Sequence, residues 1–150
     1  MSDKRGRVDA ASGMDDAYRL TLETPAIADY LRLRADAGMT PRSARAAQAG
    51  LPHTRIGVVI RRDGQAVGMG RVIGDGLHYL VVDIAVDPAH QGRGLGKAIM
   101  AALSTELRRI APAEAYVCLI ADGEAHRLYR RFGFRPTAPA SIGMAQWIGN

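Results

Sequence analysis

The sequence has one cysteine, few aromatic residues and no long hydrophobic stretch without charge. The single cysteine, Cys118, has no second thiol in the chain for an internal disulfide, which is consistent with a reducing compartment. Aromatic residues make up 5% of the chain, whereas proteins that stack nucleic-acid bases usually interleave aromatic and basic residues. No apolar run reaches the ~18 residues of a membrane span, and no basic, hydrophobic leader is visible. We therefore expect a cytoplasmic protein without a nucleic-acid or membrane partner.

Positive charge predominates. The formal net charge is +5 and the pI is about 9.9, which favours an anionic partner such as a phosphorylated cofactor. Much of the excess is arginine spread over several segments, and the arginines of the first predicted helices are expected to be exposed charges. Contact with an acid group of a substrate is the alternative for them. They are Arg32, Arg34, Arg42 and Arg45.

The chain has the length of one ordinary domain, and its 47% hydrophobic composition is enough for a core. Residues 1–15 are polar, contain glycine and show no periodicity. We expect them to form a mobile tail before a single domain over residues 16–150.

The periodicity of apolar residues predicts a mixed α/β protein. A Thr-Pro pair followed by a glycine, typical of helix starts and ends, occurs twice, over residues 24–38 and 40–50. Asp63-Gly64 is a pair that permits positive φ in a tight hairpin. The expected strands cover about 17–23, 55–62, 65–74, 77–86, 115–121 and 143–149, and the expected helices cover 24–38, 40–50, 95–110 and 123–132. The order β-αα-βββ-α-β-α-β corresponds to a mixed sheet with helices on both faces.

The segment HQGRGLGKA, residues 90–98, places three glycines within five positions, directly before the predicted helix at 95–110. Backbone amides at a helix start are unpaired and lie at the positive end of the helix dipole, so they bind phosphates if no side chain blocks them. Gly92, Gly94 and Gly96 leave them unblocked, and Arg93 and Lys97 would complement a pyrophosphate. A glycine turn that only lets the helix approach the sheet is the alternative.

Two common phosphate-binding motifs do not match this segment. A P-loop would need glycine at position 91 and serine or threonine at 98, where the chain has Gln91 and Ala98. A dinucleotide-binding fingerprint beginning at Gly92 would need glycine in place of Lys97. Nucleotide hydrolysis and NAD chemistry are therefore disfavoured.

A Q-x-x-G-x-G pattern does match, between a strand ending in IAV and an amphipathic helix, and a second motif, A-x-x-L-Y-x-x-x-G-F, follows at residues 125–134. The matching residues are Gln91, Gly94, Gly96, Ala125, Leu128, Tyr129, Gly133 and Phe134. With both motifs the chain resembles the GNAT superfamily of acetyl-CoA dependent N-acetyltransferases over residues 77–134. The resemblance implies a mixed, mostly antiparallel central sheet.

The resemblance also implies acetyl-CoA as the acyl donor. The loop would hold the pyrophosphate, and strand backbone over residues 84–86 would receive the pantetheine arm. The implied contacts are Ile84, Ala85, Val86, Gln91, Gly92, Arg93, Gly94, Leu95, Gly96, Lys97, Asp122 and Ala125. Asp122 departs from the family, in which many members have asparagine, and an aspartate cannot supply the amide donors of asparagine.

Two residues are candidates for proton transfer. Tyr129 matches the family tyrosine that protonates the departing thiolate, and a core aromatic residue is its alternative role. Asp83 is a candidate general base because it interrupts an apolar strand, where burial would shift its pKa. A hydrogen-bonded structural aspartate is the alternative, and a β-bulge would change the face that it occupies. Cys118, in an apolar strand, is expected to be a packed thiol rather than an acyl-carrying nucleophile.

The predicted function is direct transfer of an acetyl group to the primary amine of a small molecule in a ternary complex. The alternatives are acetylation of a protein N-terminus or lysine, and a non-catalytic acyl-CoA-binding module. No metal site is expected, because the four histidines have no spacing typical of one. Dimerisation is common in the family, and the sequence neither requires nor opposes a homodimer.

Overall fold

The computed structural model describes residues 13–149. The chain divides into two compact units, of which the first ends at Leu119 and the second begins at Ile120. Most of the expected N-terminal tail lies outside the described residues. Met14, which the sequence assigned to that tail, is buried.

Over the residues that the structure describes, the first unit contains five strands and three α-helices. They are β1 (Tyr18–Leu22), α1 (Ile27–Asp36), α2 (Ala44–Gly50), β2 (Ile56–Arg62), β3 (Gln65–Gly74), β4 (His78–Val86), α3 (Leu95–Ile110) and β5 (Tyr116–Cys118). The second unit contains α4 (His126–Arg130). Short 3-10 helices cover Leu51–His53, Pro88–His90 and Gly123–Ala125. No helix of the described chain has the length and apolar character needed to cross a membrane.

The five strands form one sheet in the order β1-β2-β3-β4-β5. Neighbouring strands are antiparallel except for β4 and β5, which are parallel. The hairpin between β2 and β3 turns at Asp63 and Gly64, both with positive φ, as their residue types predict. The expected mixed, mostly antiparallel sheet is confirmed.

Helices cover both faces of the sheet. On one face, Leu33 of α1 belongs to a buried cluster with Val59, Met69 and Ala85. On the other face α3 lies so close that a Cβ added to Gly70 would be 2.5 Å from Cγ2 of Ile99. Glycine is therefore required at this position by the approach of a helix to the strand.

Several predicted boundaries are wrong. Helix α1 begins at Ile27 because Ala26 has extended backbone, and α2 begins after Ser43, whose hydroxyl accepts a hydrogen bond from the Ala46 amide and so provides the cap expected of Thr40. The predicted helix at 123–132 is divided into a 3-10 turn and the short α4.

The predicted last strand at residues 143–149 is also wrong, since the structure has no strand there. Met144 and Ile148 are 87% and 91% exposed, so the segment lacks the half-buried face of a strand in a sheet. The predicted strand at 115–121 is reduced to the three residues of β5.

Candidate active site

The glycine segment follows β4 directly and leads into α3. Asp87 accepts a hydrogen bond from the Ala89 amide at 2.9 Å and so caps the short 3-10 helix at the strand end. Nε2 of Gln91 donates to the Val86 carbonyl at 3.1 Å. These two contacts fix the start of the loop to the end of β4.

Gly92 and Gly94 have φ of 76° and 79°, the left-handed region that favours glycine. A Cβ on either residue would have no atom within 4 Å, so the backbone conformation and not crowding requires glycine here. Gly94 is the N-cap of α3 and provides no side-chain cap. The first amides of α3 are therefore open to a ligand.

The loop is also electropositive. Arg93 and Lys97 are exposed, and no carboxylate of residues 13–149 forms an ion pair with either of them. The first turn of α3 contains no acidic residue. Open amides and unpaired cations together are suited to the diphosphate of coenzyme A.

Strand β4 has a free edge next to this loop. It pairs with β5 only from His78 to Leu80, whose partner is Cys118, and continues alone on that side to Val86. On the other side, Ala85 and Val86 pair with Met69 and Gly68 of β3. Within residues 13–149, backbone groups of residues 84–86 that face away from β3 thus have no strand partner, and apart from the Val86 carbonyl, which Gln91 holds, they can bind the amides of an extended ligand.

A β-bulge interrupts the pairing of β3 with β4. Met69 pairs with Ala85 and Arg71 with Val82, so Asp83 and Ile84 together oppose Gly70. Asp83 has a φ of 57°. The bulge turns Asp83 to the face covered by α1, whereas Ile84 approaches Gly70 on the face of α3.

Asp83 lies between two buried arginines. Its Oδ1 accepts a hydrogen bond from Nη1 of Arg34 at 2.6 Å, and its Oδ2 accepts one from Nη1 of Arg71 at 3.0 Å. The three side chains are between 6% and 8% exposed. Because both carboxylate oxygens hold a guanidinium, the geometry favours the structural role over the role of general base.

The sequence did not identify Arg71, and the expectation that Arg34 is exposed is wrong, because it is 5% exposed. Arg34 also donates from Nε and Nη2 to the Thr40 carbonyl, which ties α1 to the following loop. Arg71 interrupts the buried run of β3 as Asp83 interrupts β4. Opposite charges in two neighbouring apolar strands are the signal that would have identified this pair.

Tyr129 lies in α4 of the second unit and is half-buried. Burial, with a smaller contribution from the negative charge of Asp122, raises the pKa of its phenol above the ordinary value. Asp122 is exposed and directly precedes the 3-10 turn that leads into α4, and Ala125 is half-buried and is the last residue of that turn. The phenol of Tyr129 is therefore protonated throughout the neutral range, as a proton donor requires.

No metal site is evident in the described part of the chain. No three histidine, cysteine, aspartate or glutamate residues among residues 13–149 are grouped so as to hold a metal ion. Cys118 is a free, half-buried thiol in β5.

Comparison with known proteins gives three informative similarities. Serotonin N-acetyltransferase 2, a chloroplastic protein of Oryza sativa subsp. japonica, is 37% identical over 83 residues, which are 55% of this chain and 40% of that protein. Histone acetyltransferase TAP1 of Glycine max is 35% identical over 86 residues, 56% of this chain and 36% of that protein. This chain thus spans less than half the length of these curated relatives.

The third similarity is to a solved structure that has nearly the length of this chain. A protein of unknown function from meticillin-resistant Staphylococcus aureus, described as a probable acetyltransferase, is 40% identical with a TM-score of 0.83, and the match covers 87% of this chain and 98% of that one. A family model described as the acetyltransferase (GNAT) domain matches residues 53–136. This match extends over more than half of the sequence and includes both β4 and the glycine loop, and the chain therefore belongs to the GNAT acetyltransferase family.

Proposed function

We propose that this chain transfers the acetyl group of acetyl-CoA to the primary amine of a small molecule, by direct attack of the amine in a ternary complex. The observation that carries the proposal is the loop before α3. There, open backbone amides and two unpaired cations follow a strand with a free edge. This combination is suited to a ligand that is anionic at one end and rich in amides along its length.

The loop of residues 91–97 binds the diphosphate of the donor through its amides, with Arg93 and Lys97 neutralising the phosphate charge. The free edge of β4 over residues 84–86 binds the amides of the pantetheine arm. Asp122 and Ala125 are proposed as further contacts to coenzyme A.

The reaction forms one bond and breaks another. The amine nitrogen attacks the thioester carbon, a C–N bond forms, and the C–S bond breaks. A backbone amide at the free edge of β4 donates to the carbonyl oxygen as negative charge develops there. Tyr129 donates its phenolic proton to the departing thiolate, and the raised pKa of Tyr129 supports this role because it keeps the phenol protonated.

Asp83 has a positioning role in this proposal. Its two oxygens hold Arg34 and Arg71 at the bulge, beside the free edge of β4. The proton that the attacking amine loses then leaves through water rather than to this carboxylate, and the phenolate of Tyr129 takes a proton back from water. Cys118 carries no acyl group, since the amine attacks the thioester directly.

The proposal of a small-molecule acceptor is supported by the similarity to the rice serotonin N-acetyltransferase, whose name describes acetylation of a small amine. A protein acceptor is the second candidate, because the soybean relative is named a histone acetyltransferase. Release of coenzyme A from acetyl-CoA, followed with a thiol reagent against a panel of small amines and lysine-containing peptides, distinguishes the two. Turnover of peptides alone would contradict the small-molecule proposal.

A matched pair of glycine variants tests the donor site. Gly94 and Gly64 have the same φ of 79°, and a Cβ on either has no atom within 4 Å, so Gly94→Val and Gly64→Val impose a similar backbone strain. Gly94→Val should weaken calorimetric coenzyme A binding about tenfold or more, because one charge-assisted hydrogen bond contributes ~1.5–3 kcal/mol. Gly64→Val, in the β2–β3 hairpin, should bind as the wild type does. Equal binding by wild type and Gly94→Val would remove the loop from the donor site.

A further inference from the structure

The cluster at the β-bulge contains more positive than negative charge. Arg34 and Arg71 face the single carboxylate of Asp83, which gives the three side chains a formal charge of +1. Within residues 13–149 no second carboxylate forms an ion pair with either arginine. All three side chains are more than nine-tenths buried. An uncompensated buried charge is costly, so a further anion at this position would stabilise the cluster.

One guanidinium nitrogen of the cluster, Nη2 of Arg71, has no hydrogen-bond acceptor among residues 13–149. Arg34 uses Nε and Nη2 on the Thr40 carbonyl and Nη1 on Asp83. Arg71 donates from Nε to Oγ1 of Thr54 at 3.0 Å and from Nη1 to Asp83, but Nη2 of Arg71 has no acceptor among the described residues. No fully buried side-chain nitrogen or oxygen in this part of the chain lacks a partner, so Nη2 reaches solvent.

The guanidinium of Arg71 is held in place around this open donor. Thr54 and Asp83 fix two of its nitrogens, and its central carbon lies 5.8 Å from the centroid of the Tyr30 ring. The central guanidinium carbon of Arg34 lies at the same distance, 5.8 Å, from the centroid of that ring. Because the side chain is already fixed, a ligand that binds Nη2 loses little affinity to ordering of the arginine.

The position of the cluster connects it with the acceptor. Asp83 lies three residues beyond Leu80, where β4 and β5 cease to pair, and directly before residues 84–86, the edge proposed for the pantetheine arm. An anionic group bound at Arg71 would therefore lie close to the acetyl group. The phosphates of the donor are assigned to the glycine loop at the far end of the pantetheine arm, whereas the acceptor binds next to the acetyl group, so we assign an anionic group at Arg71 to the acceptor.

We infer that the acceptor amine carries a carboxylate, which is bound by Nη2 of Arg71. A carboxylate has the single negative charge that balances the cluster, whereas a phosphate dianion would exceed it. The inference rests on the proposed acetyl transfer and narrows its substrate class to amino acids and related amino carboxylates. Arg71 is then a specificity-determining residue.

Matched acceptors test this on the unmodified protein. Each amino acid is compared with the amine that remains when its carboxylate is removed, for example 5-hydroxytryptophan with serotonin, phenylalanine with phenethylamine and alanine with ethylamine. The carboxylate-bearing member should have a kcat/KM about 30-fold higher or more, the effect expected of one buried charged contact. Equal rates for both members of every pair, or turnover of the decarboxylated amines alone, would overturn the inference.

The variant Arg71→Gln tests the assigned residue. It should reduce the preference for the carboxylate-bearing member to near unity, mainly through KM, because it removes the open donor. Arg19→Gln, an exposed arginine of β1, is the matched control and should keep the preference. General damage to the fold would lower both rates together and leave their ratio unchanged, and an unchanged ratio contradicts the role of Arg71. If Arg71→Gln does not fold, the comparison of kcat/KM for the matched acceptors with the wild-type protein still tests the carboxylate preference.

Coenzyme A binding separates this inference from the proposed function. Binding with turnover of neutral amines only would leave acetyl transfer intact and refute the carboxylate preference. Binding without turnover of any amino carboxylate would refute the inference as well. An absence of both binding and turnover would refute the proposed function itself.

Discussion

Replacement of Asp83 by asparagine removes the negative charge that lies between two buried arginines. Both oxygens of Asp83 accept hydrogen bonds from guanidinium groups, and its side chain is 8% exposed. Removal of one partner from a buried ion pair typically costs ~3–5 kcal/mol, since the remaining charge stays buried. We therefore expect Asp83→Asn to lose about this amount of unfolding free energy, measured by urea denaturation, against a total of ~5–15 kcal/mol for a typical domain.

A matched control makes the same chemical change in an exposed pair. Asp36 lies at the end of α1, is 47% exposed, and contacts Nη1 of Arg32 at 3.8 Å. Asp36→Asn should change the unfolding free energy by less than ~1 kcal/mol. If Asp83→Asn and Asp36→Asn both lose less than ~1 kcal/mol of unfolding free energy, the buried arginines do not make Asp83 essential to stability, and the argument from buried charge is refuted.

The same variant distinguishes the two roles left open for Asp83. A general base would produce an acidic limb in the pH profile of kcat/KM that disappears in Asp83→Asn. A carboxylate that only positions Arg34 and Arg71 leaves the limb where it is and lowers the rate at every pH. We expect the second result. Loss of the limb would assign proton removal to Asp83.

Three further predictions concern other parts of the chain. Tyr129→Phe should lower kcat about 10²-fold, and near-normal turnover of this variant would refute the role of Tyr129 as acid. Because burial raises the pKa of Tyr129, ionisation of its phenol should reduce the activity of the wild type only above pH ~10. Gly70→Ala should cost ~1–3 kcal/mol of unfolding free energy by overpacking against Ile99, whereas Gly50→Ala, with open space around it, should cost nothing measurable. Cys118→Ala should keep full turnover, and its inactivation would point to an acyl-enzyme.

The elements that follow from local rules were predictable. Asp63 and Gly64 define the β2–β3 hairpin because few residue pairs tolerate two consecutive positive φ values. Strand β4 follows from its run of apolar residues, and helix α3 follows from apolar residues at helical spacing that begin at Leu95. Each of these depends on residues close together in sequence.

The wrong boundaries depend on partners elsewhere in the chain. Strand β5 was expected to be longer because its residues are apolar, but it ends where pairing with β4 ends at Leu80. The composition of residues 143–149 was insufficient to predict a strand, since exposed residues such as Ile148 gain no packing from strand pairing. Arg34, which was expected on a helix surface, is buried because α1 crosses the sheet at Asp83.

By itself the sequence determined the glycine loop, the strand and helix around it, and hence the family, because backbone conformation and periodicity act over a few residues. The tertiary structure alone decided what Asp83 contacts. The β-bulge places one additional residue in β4 and so turns the carboxylate of Asp83 to the face of α1. There the carboxylate contacts Arg34, 49 positions away in the chain, and Arg71 on the neighbouring strand. Such a contact depends on strand register and helix placement, and no local pattern encodes either of them.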